Sequence, residues 1–215
     1  DVQASFCATL VDEWVRRGVR GAMIAPGSRS TPLAVALVQH PSIEASVFLD
    51  ERSAGFFALG LAKATGRAVA VVTTSGTAVA ELFPAVVEAS MARVPLLLLT
   101  ADRPEELRGV GANQTIDQRG IFGPYVAWTV DAPVPDGEDL DQWGDLAHHA
   151  VRRAVVGPPR PVHLNLPFRE PLVPSAEVPV ARGTHGEPPH EDVRAATESD
   201  VAALAPFLAS ARGLV

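Results

Sequence analysis

Val94-Pro95-Leu96-Leu97-Leu98-Leu99-Thr100 is the stretch that decides the fold. Its four consecutive leucines leave no wet face, and a strand covered on both faces belongs in the middle of a parallel sheet clothed by helices. Upstream, residues 77–92 carry a helical pattern, 68–73 an aliphatic strand, 51–65 a helix and 44–49 a strand. Earlier still, Phe6, Leu10, Val11, Trp14 and Val15 recur at helical spacing, and Gly18 and Gly21 bracket the exit into a strand at 22–25. Downstream come a long loop at 101–114, a short helix ending near Phe122, a strand at 125–130 and an amphipathic helix at 139–156. The last strand, 160–167, is bounded by prolines, which predicts an edge or terminal position in the sheet. The expectation is an α/β fold: a doubly wound parallel sheet of about six strands, helices on both faces, with right-handed crossovers.

This first domain is expected to occupy residues 1–172. Prolines, glycines and charges then concentrate, predicting a connector at 173–197, and 198–215 reads as the opening helix of a further domain. A chain that starts at Asp1 and stops within a helix-like stretch reads as a piece of a longer polypeptide.

Composition narrows the function. The 215 residues are 47% hydrophobic and 20% charged, enough for a substantial core, and aromatics at 6% make that core aliphatic. A formal charge of −7 and the absence of any basic cluster argue against a nucleic-acid partner. No apolar run reaches the roughly 18 residues a membrane span needs, and no secretory signal opens the chain, so the reading is cytoplasmic. The lone Cys7 reads as a small buried helix residue. The six histidines lack metal-ligand spacing, and no metal ligand is expected in this chain.

Three loops each leave a strand and enter a helix: Ile24-Ala25-Pro26-Gly27-Ser28-Arg29-Ser30-Thr31-Pro32, Asp50-Glu51-Arg52-Ser53-Ala54-Gly55 and Thr73-Thr74-Ser75-Gly76-Thr77-Ala78. They place small residues, an arginine and an acid on one rim of the sheet, where open α/β folds bind ligands. Neither a P-loop nor a G-x-G-x-x-G fingerprint accounts for the glycines. Glu51 stands between Val47-Phe48-Leu49 and the apolar run from Ala54 to Gly60, which predicts a partly desolvated carboxylate able to exchange a proton near neutral pH. Ser75 or Thr77 suits a helix N-cap, and a bare Gly76 permits close approach by a flat ring.

Taken in order and spacing, residues 24–32, 50–61, 74–80 and 98–114 resemble the pyrimidine-binding domain of thiamine-diphosphate enzymes. Within that family, Pro26 to Pro32, Thr100-Ala101-Asp102-Arg103-Pro104 and Gly111-Ala112-Asn113-Gln114 are most similar to the branch serving menaquinone biosynthesis. The resemblance implies thiamine diphosphate as cofactor, with Glu51 as the acid that activates it through its aminopyrimidine ring. It further implies that Pro26, Gly27, Ser75, Gly76 and Thr77 border the cofactor and that Ser28, Arg29, Arg103, Asn113 and Gln114 face substrate. The implied reaction decarboxylates 2-oxoglutarate and adds the succinyl unit to isochorismate in 1,4 fashion. Mg2+ or Mn2+ would be held on a C-terminal domain beyond this chain, which would supply half a site, inactive alone, of a homodimer or tetramer. Two alternatives stay open: another thiamine-dependent 2-oxo acid decarboxylase or carboligase, and a non-catalytic domain of the same fold.

Overall fold

The structure, a computed structural model, describes residues 2–136, 140–174, 198, 199 and 202. Most of the connector expected at 173–197, and of the helix expected after it, lies outside the described residues. In chain order the elements are α1 (Val2–Arg16), β1 (Gly21–Ile24), α2 (Thr31–Gln39), β2 (Glu44–Val47), α3 (Glu51–Thr65), β3 (Val69–Thr73), α4 (Thr77–Ala80), α5 (Phe83–Met91), β4 (Leu96–Asp102), β5 (Trp128–Asp131), α6 (Leu140–Val155) and β6 (Val162–Pro167). The strands form one six-stranded parallel sheet in the order β2-β1-β3-β4-β6-β5.

The period-two geometry of a strand divides the leucine run between two cores. Leu97 and Leu99 join Ala22, Ile24, Ala70 and Val72 beneath Phe6, Leu10 and Trp14 of α1, Leu33 and Leu37 of α2 and Ala147 and Ala150 of α6. Leu96 and Leu98 join Met23, Val69 and Val71 against Ala54, Ala58 and Ala62 of α3 and Val86 of α5. A fully buried leucine contributes about 1.5–3 kcal/mol over an exposed one, so this run anchors both helical layers to the same strand. Cys7 is fully buried in the first core, where desolvation raises its thiol pKa, as fits a packing residue.

The structure corrects three elements of the reading. The helix at 77–92 is two helices, broken at 81–82, because Pro84 has no N–H to continue the ladder and instead opens α5. The segment before Phe122 holds no helix ending there; short 3₁₀ turns lie at Glu105–Leu107 and Gly123–Tyr125, and β5 begins only at Trp128. Strand β6 is interior, paired with β4 on one side and β5 on the other, and buried throughout. Its prolines sit before the strand and at its last position, so every residue needed for the ladder keeps its N–H.

Candidate active site at the switch point of the sheet

Successive strands step outward from β1 to β2 on one side and to β3 on the other, so the loops after β1 and β3 diverge and open a crevice at the strands' C-terminal ends. The two loops touch at one point. A Cβ on Gly27 would lie 2.4 Å from the Cβ of Thr74, so only a bare backbone fits there. Pro26 and Ser28 are exposed on this rim. Arg29, in the 3₁₀ turn Ser28–Ser30, is only 8% exposed. Its Nη1 donates to the Phe168 carbonyl at 2.8 Å, and its Nη2 lies 3.5 Å from the exposed carboxylate of Glu170. Its buried Nε has no partner among the described residues. Burial, and then the charge of Arg103, hold Arg29 below the ordinary guanidinium range, with Glu170 and Asp102 acting the other way.

The second loop is fixed by long-range bonds. Ser75 Oγ donates to the Gln114 carbonyl at 3.0 Å and receives a hydrogen bond from Arg103 Nη1. Gln114 Nε2 donates to the Ser75 carbonyl at 3.0 Å, and Gly76 N–H donates to Gln118 Oε1 at 3.1 Å. Gly76 has φ +85°, a region that disfavours side chains, and a Cβ there would press on Gln114 at 3.0 Å. The structure therefore brings Ser75, Gly76, Arg103 and Gln114 together. It revises one detail: neither Ser75 nor Thr77 caps α4, because the Ser75 hydroxyl is committed to Gln114. Thr77 is exposed, as is Asn113, whose carbonyl accepts from Thr115 Oγ1 at 3.1 Å.

Glu51 opens α3 on the same rim. Asp50 caps that helix, its Oδ1 accepting Ser53 N–H at 2.6 Å, and this bond holds the Asp50 carboxyl below the usual range. Glu51 is half-buried, and its carboxylate makes no hydrogen bond or ion pair among the described residues. The apolar pocket wall expected around it is corrected. Leu49 is 99% exposed and Val47 65%, and Phe56 and Phe57 also face outward. Helix α3 packs on the sheet and on α5 through its small residues Ala54, Gly55, Ala58 and Ala62, which leaves the phenylalanines facing away.

A buried polar network escaped the sequence reading. Asn165 on β6 accepts from Thr100 Oγ1 at 3.0 Å and from Gln118 Nε2 at 2.6 Å. Its Nδ2 donates to Asp102 Oδ2 at 2.8 Å and Asp131 Oδ1 at 2.7 Å. Arg108 bridges the two carboxylates, with contacts of 2.9 Å to Asp102 and 2.7 Å to Asp131. Desolvation pulls the Asp131 carboxyl up, but the bonds from Arg108 and Asn165 outweigh it and leave it below its ordinary range. Arg103 is held at both ends of its backbone: Asp102 Oδ1 accepts its N–H at 2.7 Å, and Arg108 Nε donates to its carbonyl at 3.2 Å. His163 lies between Thr100 Oγ1 at 2.8 Å and Thr129 Oγ1 at 3.2 Å, with Phe122 edge-on; burial pushes its pKa down to about 4. One signal was available: His163 and Asn165 interrupt an apolar strand two positions apart, which puts both on one face.

A parallel sheet with a bare-backbone turn, two arginines and a helix-opening glutamate around its switch point defines an α/β cofactor-binding domain. The chain belongs to the thiamine pyrophosphate enzyme family, matching its N-terminal TPP binding domain over residues 6–121. Among curated proteins it is similar to the 2-succinyl-5-enolpyruvyl-6-hydroxy-3-cyclohexene-1-carboxylate synthase of Chloroflexus aurantiacus, with 59% identity over 79% of this chain and 29% of the relative. Synthases of the same name from Oceanobacillus iheyensis (51% identity, 83% of this chain, 31% of the relative) and Geobacillus thermodenitrificans (48%, 98% and 37%) are similar too. The chain thus spans about a third of the length of the curated relatives it matches. No helix among the described residues is long and apolar enough to cross a membrane.

Proposed function

We propose that this chain is the pyrimidine-binding part, residues 1–172, of a thiamine-diphosphate-dependent synthase. The whole polypeptide would decarboxylate 2-oxoglutarate and add the succinyl unit to isochorismate in 1,4 fashion, in menaquinone biosynthesis. The observation that carries the substrate class is Arg29: a buried guanidinium whose Nε has no partner among the described residues, electrostatically coupled to Arg103 at the end of β4. Two cations converging on the rim of a chain of formal charge −7 suit substrates carrying several carboxylates. The relatives' shared name supports the same reaction.

The chain's residues fit the cofactor. Gly76 offers a backbone without a side chain, and Glu51 offers a carboxylate with no protein partner among the described residues. When bound, thiamine diphosphate supplies the electron sink for decarboxylation. Glu51 would hydrogen-bond a ring nitrogen of the aminopyrimidine and hold a proton there; Pro26, Gly27, Ser75, Gly76 and Thr77 would border the ring. Ser28, Arg29, Arg103, Asn113 and Gln114 would bind and orient substrate. The diphosphate and its Mg2+ or Mn2+ would be carried by a C-terminal domain, contributed in a homodimer or tetramer working in the cytoplasm. The chain alone would then be inactive.

The test is an assay of the full-length protein with thiamine diphosphate and Mg2+. Turnover of 2-oxoglutarate with isochorismate, lost on Arg29→Ala, is the expected result. Turnover of pyruvate without either dianion would favour another thiamine-dependent decarboxylase or carboligase. No cofactor binding at all would leave a non-catalytic domain of this fold.

A further inference from the structure

We infer that Gln118 is a positioning residue which, together with Gln114, locks the peptide plane between Ser75 and Gly76 in the orientation that receives the cofactor's ring; the inference rests on the thiamine diphosphate reading above. The carbonyl of Ser75 and the N–H of Gly76 belong to one peptide unit. Gln114 Nε2 holds its oxygen at 3.0 Å, and Gln118 Oε1 holds its N–H at 3.1 Å. Two carboxamides four residues apart grip opposite ends of a single plane.

Gln118 is fully buried, and its orientation is unambiguous. Its oxygen faces an obligate donor, Gly76 N–H, while its nitrogen faces the Ala101 carbonyl at 2.9 Å and Asn165 Oδ1 at 2.6 Å. A flipped amide would set oxygen against carbonyl oxygen. Asn165 is fixed the same way, because its Nδ2 faces the carboxylates of Asp102 and Asp131. The orientation of the Gly76 turn is thereby referred back to charged groups seated at the ends of β4 and β5. A turn at φ +85° has no helix or ladder of its own to set its plane, so the two glutamines supply that restraint. Binding to a pre-set turn avoids the ordering cost that a loose turn would impose.

The experiment uses the full-length protein carrying Gln118→Met or Gln114→Met. Amide exchange by mass spectrometry, without cofactor, should speed up at Gly76 on the order of tenfold, the loss of one hydrogen bond, with exchange in the α1 segment unchanged. Calorimetry should show a comparable fall in thiamine diphosphate affinity, while kcat of Gln118→Met at saturating cofactor stays within about threefold. A residue with only a structural role would instead loosen exchange throughout the domain. Gln114 is exposed, so its variant decides the matter by amide exchange and cofactor affinity if Gln118→Met does not fold. Unchanged exchange at Gly76 overturns the clamp. Faster exchange with unaltered cofactor affinity overturns its service to the cofactor. A wild-type protein that binds no thiamine diphosphate overturns the functional reading, and the exchange data, which need no cofactor, separate that result from the other two.

Discussion

At the β3–β4–β6–β5 side of the rim, four segments are hydrogen-bonded to one another through Ser75, Arg103, the pair Gln114 and Gln118, and Asn165, with Asp102, Asp131 and Arg108 beneath them. At the β1–β2 side, Glu51 has no partner among the described residues, and Val47, Leu49, Phe56 and Phe57 face outward beside it. One side is a set of groups whose positions the fold has already settled. The other is a half-buried carboxylate beside an apolar surface left open among the described residues. Bonded and unbonded groups thus divide along the switch point, with Arg103 on the settled side and Arg29 at its border.

The largest expected effect tests the unsettled side. In the full-length protein, Glu51→Gln should slow C2–H exchange of bound thiamine diphosphate by about 10²–10⁴-fold, while the unfolding free energy changes by no more than about 0.5 kcal/mol. Unchanged exchange, followed by NMR in deuterated buffer, would remove Glu51 from its role. Asp102→Ala tests the settled side. Asp102 is 1% exposed, and its loss takes one of the two carboxylate partners from Arg108 and leaves the Arg103 N–H without its acceptor, so urea denaturation should show a drop of about 3 kcal/mol. A drop below about 1 kcal/mol would mean that the network does not hold the rim.

Acid should separate the two sides as well. Folded His163 has its pKa depressed from 6.5 to about 4, so below pH 6.5 the unfolded state takes up the proton and the folded state does not. Stability therefore falls as pH drops from 6.5 towards 4, by roughly 3 kcal/mol, and this contribution levels off below that. The depressed carboxyl of Asp131 adds a further loss only at lower pH, as it is protonated. His163→Asn should flatten the first limb in a denaturation series; a slope that persists would assign it elsewhere. The smallest effect belongs to Leu49→Ser. It should leave the chain's own stability within about 0.5 kcal/mol and weaken self-association of the full-length protein by about tenfold, measured by sedimentation. An unaltered association constant would show that this apolar surface is not what meets a second copy.

The leucine run and the spacing of strand and helix patterns were enough to read the parallel sheet, because burial on both faces leaves its mark on every residue of β4. The place of β6 was not readable in the same way. Prolines at the ends of a strand look alike whether the strand is interior or at an edge, since the constraint acts only on the N–H groups between them. The small residues and arginines of the three loops were visible as loop chemistry. The wall around Glu51 was misread because an apolar residue beside a site carries no sign of which way it faces, and α3 turned its alanines inward and its phenylalanines out. Gln118 lay beyond pattern altogether, and Asn165, though marked by its break in an apolar strand, carried no sign of its partner: the two meet across 47 positions of chain.

Gly27 carries a consequence for variation. Its backbone is extended, at φ −166°, so any residue could adopt the conformation; what forbids a side chain is Thr74, across the crevice. The collision is with the Cβ of Thr74 itself, so trimming that threonine to serine or alanine would give no relief. A library randomised at both positions should return at least one glycine in every folded clone, and a change in either loop has to be accommodated by the other.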